Sequence, residues 1–172
     1  MDKNKSAYKL KGLPHIYYTN LDRSPERQKY MEDQFKYWEI ENYTRIVGYD
    51  GTGEDDLSGI LKGRYPDQMG PTDVGCCTSH LKAIHHWYTT SDTSCAIMME
   101  DDCDLSVVKH WPFTWKDVYT RLPFDYDLLQ LAVINPGSLH IALHKRFVND
   151  FSTACYLITR HHAKKILDLC YR

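Results

Sequence analysis

Apolar residues recur along the chain at spacings that predict strands and helices in turn. A short β-rich run, Ile16–Thr19, is followed by a turn and then by apolar residues at i, i+4 and i+7, which predict a helix over about 25–38. Ser24 is a favourable N-cap, and Pro25 suits the first helical position. The next stretch, 43–51, predicts a second strand that ends in a glycine-containing turn.

The rest of the chain continues this alternation. Residues 51–73 are rich in Gly, Asp and Pro and predict a long loop, and helical spacing then predicts a helix that starts after Thr78 or Ser79. Three apolar strands and a closing helix complete the prediction, over 95–100, 126–135, 153–159 and 160–170. This order predicts an α/β fold in which most strands are buried on both faces.

Composition narrows the class of protein. The 172 residues predict one domain, 1–172, with the hydrophobic fraction of 42% and the charged fraction of 26% of an ordinary globular protein. A net charge of −2 without a basic stripe argues against nucleic-acid binding. There is no apolar run long enough to span a bilayer and no secretory signal, so we expect a cytoplasmic protein. The six cysteines include no C-x-x-C pair, which favours reduced thiols.

A run of carboxylates, Glu100-Asp101-Asp102, directly follows the third predicted strand. Like charges this close repel one another, so either a positive group lies among them or water screens them. Ligands of open α/β sheets bind beyond the carboxyl ends of the strands, and carboxylate oxygens suit Mg²⁺ or Mn²⁺. Acidic residues on a surface turn are usually only solvated. Because this acidic run follows a buried strand, however, a cation site is favoured.

Other polar groups are predicted at the same edge of the sheet. Asn20 and Arg23 follow the first strand, Asp50 follows the second, and Arg27 lies one helical turn beyond Arg23. Arginines and the predicted helix start at 79–80 suit phosphate oxygens. Arginine in a first helical turn opposes the helix dipole, which points to an anionic ligand. A cation, phosphates and arginines together indicate a nucleotide-sugar site.

Five stretches resemble, in order, the successive motifs of glycosyltransferase family 25: IYYTNLDRSPERQKYM, VGCCTSHLKAIHHW, AIMMEDDCDL, YDLLQLA and ACYLITRHHAKKIL. The resemblance covers about residues 15–168. Its most specific pieces are N-L-D-R-x-x-x-R, G-C-x-x-S-H-L and the E-D-D that ends an apolar strand. The family includes bacterial lipopolysaccharide galactosyltransferases and collagen hydroxylysine galactosyltransferases.

The resemblance implies a GT-A type fold, a Rossmann-like mixed sheet flanked by helices, that binds a UDP-sugar with Mn²⁺ or Mg²⁺. By similarity, Glu100, Asp101 and Asp102 take the place of the D-x-D motif. Asp102 is then the direct metal ligand, on the same side as Glu100 if the strand continues, with Glu100 or Asp101 on the ribose or a metal-bound water. The residues that the resemblance assigns to the nucleotide and the donor side are Asn20, Arg23, Arg27, Asp50, Ser79 and His80.

The resemblance also implies the reaction. Members are generally inverting, which requires a base for the acceptor hydroxyl, and Asp127 in YDLLQLA is the candidate. We expect transfer of galactose or glucose from a UDP-sugar to a glycan or hydroxylated acceptor. Family members usually continue beyond the helix at 160–170, whereas this sequence stops at Arg172. A minimal enzyme, a fragment lacking part of the acceptor side, and a non-catalytic accessory or interaction module therefore stay open.

Overall fold

A computed structural model describes residues 4–53, 57–134, 143–147 and 150–172. Strands and helices follow one another in turn along most of the chain, which confirms the α/β prediction. In chain order they are β1 (Ile16–Asn20), α1 (Pro25–Tyr37), β2 (Tyr43–Val47), α2 (Pro71–Thr90), β3 (Cys95–Glu100), α3 (Trp115–Tyr119), β4 (Leu128–Gln130), β5 (Cys155–Thr159) and α4 (Arg160–Cys170). Short 3₁₀ helices lie at Ala7–Leu10, Leu57–Gly59 and Ser106–His110.

The strands described form one mixed sheet in the order β2-β1-β3-β5-β4. β1 is parallel to both β2 and β3, whereas β5 runs antiparallel to β3 and β4. The chain passes from β1 outward to β2 and then returns to place β3 on the other side of β1. The winding direction therefore switches between β1 and β3, which is where doubly wound sheets bind ligands. This architecture confirms the predicted Rossmann-like mixed sheet flanked by helices.

Different helices cover the two faces of the sheet, because alternate strand residues point to opposite faces. On one face, Met98 of β3 belongs to a cluster with Trp87 of α2 and Leu167 of α4. On the other face, Tyr18 of β1 belongs to a cluster with Phe35 of α1. The alternation continues to the strand ends, so it also decides which helix each polar residue there faces.

Helix α2 begins at Pro71, so the prediction that it starts after Thr78 or Ser79 is wrong. The misleading residue is Gly75, which resembles a helix breaker in the sequence. The structure shows a packing reason for this glycine: a Cβ at position 75 would lie 2.5 Å from the backbone nitrogen of Gly51. Gly75 therefore permits the loop after β2 to approach the helix closely.

The sheet edges are shorter and more exposed than predicted. β4 spans only Leu128–Gln130 instead of 126–135, and residue 135 lies outside the described residues. Among the described residues, β4 pairs with one strand only, and its residues are half-buried or exposed. β2, at the other edge, is also largely half-buried, and only β1, β3 and β5 are buried along most of their length. No helix in the described ranges is long and apolar enough to cross a membrane.

Candidate active site

The carboxyl ends of β2, β1 and β3 lie side by side at one edge of the sheet. Thr19 of β1 is in register with Glu100 of β3, and Asn20 is in register with Val47 of β2. The polar residues that follow these three ends therefore come together, as the sequence predicted. We call this region the carboxyl edge.

Asn20 links β1 to β3 across the point where the winding switches. This side chain is 2% exposed, and its Nδ2 donates hydrogen bonds to Asp101 Oδ2 at 2.7 Å and to the Ser24 carbonyl at 3.1 Å. Its Oδ1 accepts a hydrogen bond from Arg45 Nε at 2.8 Å. Both amide protons are thus in use, so Asn20 positions Asp101 and Arg45.

Arg27 is the positive group that the acidic run requires. Its Nη1 lies 2.8 Å from Asp101 Oδ1 and 3.9 Å from Asp102 Oδ2. The Asp101 carboxylate raises the pKa of Arg27. Asp101 is buried and has one oxygen on Arg27 and the other on Asn20, so it joins helix α1 to β3. These bonds leave Asp101 poorly placed to bind a metal.

The three consecutive carboxylates point in three directions. β3 ends at Glu100, so the continuous strand that would place Glu100 and Asp102 on one side does not exist. Glu100 faces α2, Asp101 faces α1, and the side chain of Asp102 is 54% exposed. Partial burial raises the pKa of Asp102, and the Glu100 charge raises it further. Asp102 therefore carries negative charge that its surroundings compensate poorly.

Two further ion pairs lie at the carboxyl edge. Arg23 Nε is 3.1 Å from Asp50 Oδ2, and hydrogen bonds from Thr52, with Arg23, lower the pKa of Asp50. Arg45 of β2 pairs with Asp22 at 2.7 Å. Sequence reasoning missed Arg45, although a single arginine within the otherwise uncharged strand YTRIV was a signal. The structure thus brings Arg23 and Asp50 together with the strand ends.

Ser79 lies inside α2, where it fastens the loop after β2. Its hydroxyl donates to the Gly75 carbonyl and accepts from the Tyr49 backbone N–H, both at 2.7 Å. The expected phosphate site at a helix start near 79–80 is wrong, because α2 begins two turns earlier at Pro71. Ser79 is 4% exposed and acts as a structural link.

His80, on the next position of α2, is buried against the end of β3. Its Nδ1 shares a hydrogen bond with the Tyr156 hydroxyl at 3.1 Å, and its Nε2 lies 3.5 Å from Glu100 Oε1. Thr153 Oγ1 donates to the same Glu100 oxygen at 2.6 Å. The contact with His80, together with this hydrogen bond, lowers the pKa of Glu100. Glu100 is therefore ionised and faces a buried imidazole.

Cys76 joins this pair from one helical turn earlier in α2. Its Sγ, a ring nitrogen of His80 and a carboxylate oxygen of Glu100 all lie within 4.8 Å of one another. Burial raises the pKa of the Cys76 thiol to about 11. The sequence predicted no role for this cysteine beyond that of a reduced thiol, although the C-x-x-x-H spacing on one helix face was a signal.

Asp127, the predicted base, lies at the opposite edge of the sheet. Its carboxylate is 3.6 Å from His162 Nδ1 and 3.6 Å from Lys165 Nζ, and its backbone carbonyl accepts from Thr159. Thr159 is in register with Cys95, the first residue of β3. At about 3.3 Å per residue, the length of β3 separates Asp127 from the carboxyl edge by about 16 Å. The structure therefore does not bring Asp127 to the site.

A cavity of about 600 Å³ lies elsewhere, near the amino ends of β1 and β2. Lys5, Trp38 and Asn42 are among the residues that line it. The buried polar network and the winding switch both lie at the carboxyl edge, so we place the site there rather than in this cavity.

The fold is that of a doubly wound α/β protein, with a candidate ligand site at the polar edge between β1 and β3. Residues 13–172 match the model of glycosyltransferase family 25 (LPS biosynthesis protein). The chain therefore belongs to glycosyltransferase family 25, as the motifs indicated, and is a transferase that acts on a sugar donor and an acceptor. None of the curated proteins searched matches the chain.

Proposed function

We propose that this glycosyltransferase transfers galactose or glucose from a UDP-sugar to a glycan of lipopolysaccharide, with inversion and with the help of Mn²⁺ or Mg²⁺. The observation that carries the proposal is the arrangement at the winding switch, where Arg27 and the exposed Asp102 flank the buried Asn20–Asp101 link. The family description supports lipopolysaccharide as the acceptor class.

The phosphate groups of the donor fit the first turn of α1. Arg23 and Arg27 both project from this region, and their side chains are 62% and 51% exposed. Each guanidinium has five N–H donors, and its carboxylate partner uses only some of them. Within the described residues, the N-cap residue Ser24 makes no side-chain cap hydrogen bond, which leaves amides at the helix start for an anion.

The divalent cation fits Asp102. This carboxylate is exposed, and its charge is only partly compensated by Arg27 at 3.9 Å. Asp101, in contrast, is held by Arg27 and Asn20, and Glu100 faces α2. Mg²⁺ and related cations commonly use one or two protein carboxylates and complete their shell with waters and substrate phosphates. Such an ion would neutralise negative charge on the UDP leaving group. Arg27 holds the neighbouring Asp101 in place, which fixes the turn that presents Asp102.

Calorimetric titration of UDP with and without Mn²⁺ tests the assignment of Asp102. We expect Mn²⁺ to tighten UDP binding to the wild type and to have no such effect on Asp102→Ala. Asp125→Ala is the matched control, because Asp125 is also exposed but precedes β4 at the opposite edge. Mn²⁺-dependent binding that persists in Asp102→Ala would contradict the assignment. Failure of the wild type to bind UDP in any condition would contradict the proposed donor.

A further inference from the structure

A second group of ligand atoms lies on the α2 side of the sheet, away from Asp102. Cys76 Sγ and His80 Nε2 come from one face of α2, one turn apart, and Glu100 Oε1 comes from the end of β3. Strand alternation directs Glu100 to this face, because Ala96 and Met98 pack in the cluster that contains α2. A thiol, an imidazole and a carboxylate therefore converge from two elements.

The imidazole of His80 has an unsatisfied atom that points into this group. His80 is 5% exposed, and its Nε2 is buried without a hydrogen-bond partner among the described residues. The contact of 3.5 Å with Glu100 Oε1 does not have hydrogen-bond geometry. A buried polar atom without a partner is unfavourable, so an ion between the imidazole and the carboxylate would stabilise this arrangement.

The outer partners of a metal site are already present. Tyr156 hydrogen-bonds the other ring nitrogen of His80 at 3.1 Å, and Thr153 donates to Glu100 at 2.6 Å. Protein metal sites typically fix their histidine and carboxylate ligands by such hydrogen bonds. With Nε2 on a metal, the Nδ1–H of His80 donates to the Tyr156 oxygen, which sets the tautomer.

We propose that Cys76, His80 and Glu100 bind one Zn²⁺ ion, with water as the fourth ligand. Tetrahedral zinc with sulfur, nitrogen and oxygen ligands requires separations between ligand atoms of about 3.3–3.6 Å. The His80–Glu100 separation of 3.5 Å meets this requirement. The Cys76 thiol lies within 4.8 Å of both partners and closes any remaining distance when the ion binds. On binding, Cys76 loses its thiol proton to the solvent and forms the Zn–S bond as a thiolate.

Zinc is the cation that this donor set favours, and the site differs from the one proposed at Asp102. Thiolate and imidazole ligands select Zn²⁺ over Mn²⁺ and Mg²⁺, which prefer oxygen ligands. The ion would clamp α2 to the end of β3 and so stabilise the folded chain without any nucleotide. The inference therefore stands independently of the proposed donor, and its test needs neither UDP nor sugar transfer.

The first measurement is metal content and cobalt spectroscopy on the full chain without nucleotide. After dialysis against Zn²⁺ and removal of free ion, we expect about one zinc per chain by elemental analysis. Replacement by Co²⁺ should give the thiolate-to-cobalt charge-transfer absorption together with the visible bands of tetrahedral Co²⁺. A chain that retains no zinc, or Co²⁺ spectra without a thiolate band, would overturn the proposal.

Matched cysteine variants identify the ligand. Cys76→Ser should lose the charge-transfer band and bind zinc more than about 10-fold more weakly, because loss of even an outer partner typically costs 10- to 100-fold. Cys77→Ser is the control, since Cys77 is adjacent in α2 and similarly half-buried but lies outside the group. Thermal melts in EDTA should show both variants folded. Equal zinc affinity in the two variants would overturn the assignment.

Two further variants distinguish the zinc site from the cation site at Asp102 and from a direct contact between His80 and Glu100 without metal. Asp102→Ala should leave zinc affinity unchanged while removing Mn²⁺-dependent UDP binding, so the two cation proposals fail separately. His80→Gln should weaken zinc binding and abolish the rise in melting temperature that zinc gives the wild type. If zinc fails to raise the wild-type melting temperature, His80 and Glu100 form only an ion pair and the proposal is wrong.

Discussion

At the scale of single residues, the acidic run divides its carboxylates among three surroundings. Asp101 is buried against Arg27, Glu100 faces the buried His80, and Asp102 is exposed. The mutual repulsion of consecutive carboxylates is thus relieved by divergence and by one guanidinium. The ion pair with Asp101 uses only some of the five N–H donors of Arg27. We therefore expect Arg27 to contribute both to folding and to the proposed phosphate binding.

Replacement of Arg27 should distinguish phosphate binding from nucleoside binding. We expect Arg27→Gln to weaken UDP binding about 10- to 100-fold, the range for loss of a charge-assisted hydrogen bond, and to change uridine affinity by less than about 2-fold. Isothermal titration of both ligands measures this difference.

Lys29→Gln is the control for the loss of one positive charge, because Lys29 lies on the same helix and pairs with Asp33 at the surface. Arg27→Gln also removes the ion pair of Asp101. All titrations should therefore be run well below the melting temperature of this variant. Equal losses for UDP and uridine would show that Arg27 does not contact the phosphates.

Asp117 gives a pH-dependent contribution to stability far from the candidate site. Hydrogen bonds from the Thr114 hydroxyl and backbone N–H, at 2.7 and 2.8 Å, lower the pKa of Asp117 in the folded chain. A lowered carboxyl pKa stabilises the folded state above the unfolded value of 3.8, and this contribution is lost as the pH falls through the folded value. Asp117→Asn should therefore lower the melting temperature at pH 7.

The difference in melting temperature between wild type and Asp117→Asn should shrink as the pH falls below the unfolded value of 3.8, and it should be lost once the pH passes the lowered folded value. Asp125→Asn, at an exposed position, should show no such trend. A difference that stays constant with pH would mean that Asn disturbs the packing of Trp115 in α3 instead of removing a favourable charge.

At the scale of elements, the first turns of α2 pack against the loop that leaves β2. Gly51 and Gly75 form this contact, and a Cβ at Gly51 would lie 1.7 Å from the Pro71 carbonyl oxygen. The Ser79 hydroxyl adds a hydrogen bond to the backbone N–H of Tyr49. The contact holds Asp50 beside Arg23, so the helix positions part of the carboxyl edge.

Gly75→Ala should destabilise the protein even though alanine favours helices. Helix propensity alone would stabilise the variant by about 1 kcal/mol. The added methyl group meets Gly51 backbone atoms, which cannot move aside as a flexible side chain can, and overpacking of this kind costs about 1–3 kcal/mol. We expect a net loss of up to about 2 kcal/mol in the free energy of unfolding measured with urea. Gly59→Ala, where nothing lies within 4 Å, should be nearly neutral. A stabilised Gly75→Ala would contradict the close contact.

At the scale of the whole molecule, the sequence predicts elements whose signals are local. Helix α1 was expected over 25–38 and spans Pro25–Tyr37, because its apolar spacing and the proline at its first position agree. Helix α4 was expected over 160–170 and spans Arg160–Cys170, with the Thr159 hydroxyl accepting the His162 N–H as a cap. Caps and periodicity act over a few residues, so a single sequence is sufficient to show them.

Contacts between distant segments could not be predicted in this way. Asn20 and Asp101 are 81 residues apart, and their bond depends on the return of the chain from β2 to a place beside β1. The proximity of Cys76 and His80 to Glu100 depends likewise on the register of β3 under α2. The local start signals also gave the wrong start for α2, because Gly75 lies inside the helix to allow close packing against Gly51 and not to end a helix.

Strand direction places Asp127 away from the carboxyl edge, and this yields a further prediction. β4 runs parallel to β3, since both are antiparallel to β5, so residue 127 precedes the strand at the amino edge, away from Glu100. Loss of a general base typically lowers the rate by 10²- to 10⁴-fold. We expect Asp127→Asn to change kcat/KM by less than about 3-fold, because its carboxylate contacts only His162 and Lys165 among the described residues.

Release of UDP from UDP-galactose or UDP-glucose in the presence of lipopolysaccharide acceptor measures this rate. Asp102→Asn in the same assay should lose most of its activity, which shows that the assay responds to the carboxyl edge. The partly exposed ion pairs of Asp127 contribute at most about 1 kcal/mol, so Asp127→Asn should remain folded. A 100-fold loss of kcat/KM in folded Asp127→Asn would mean that the acceptor reaches the amino edge, and the active site would have to be placed there instead.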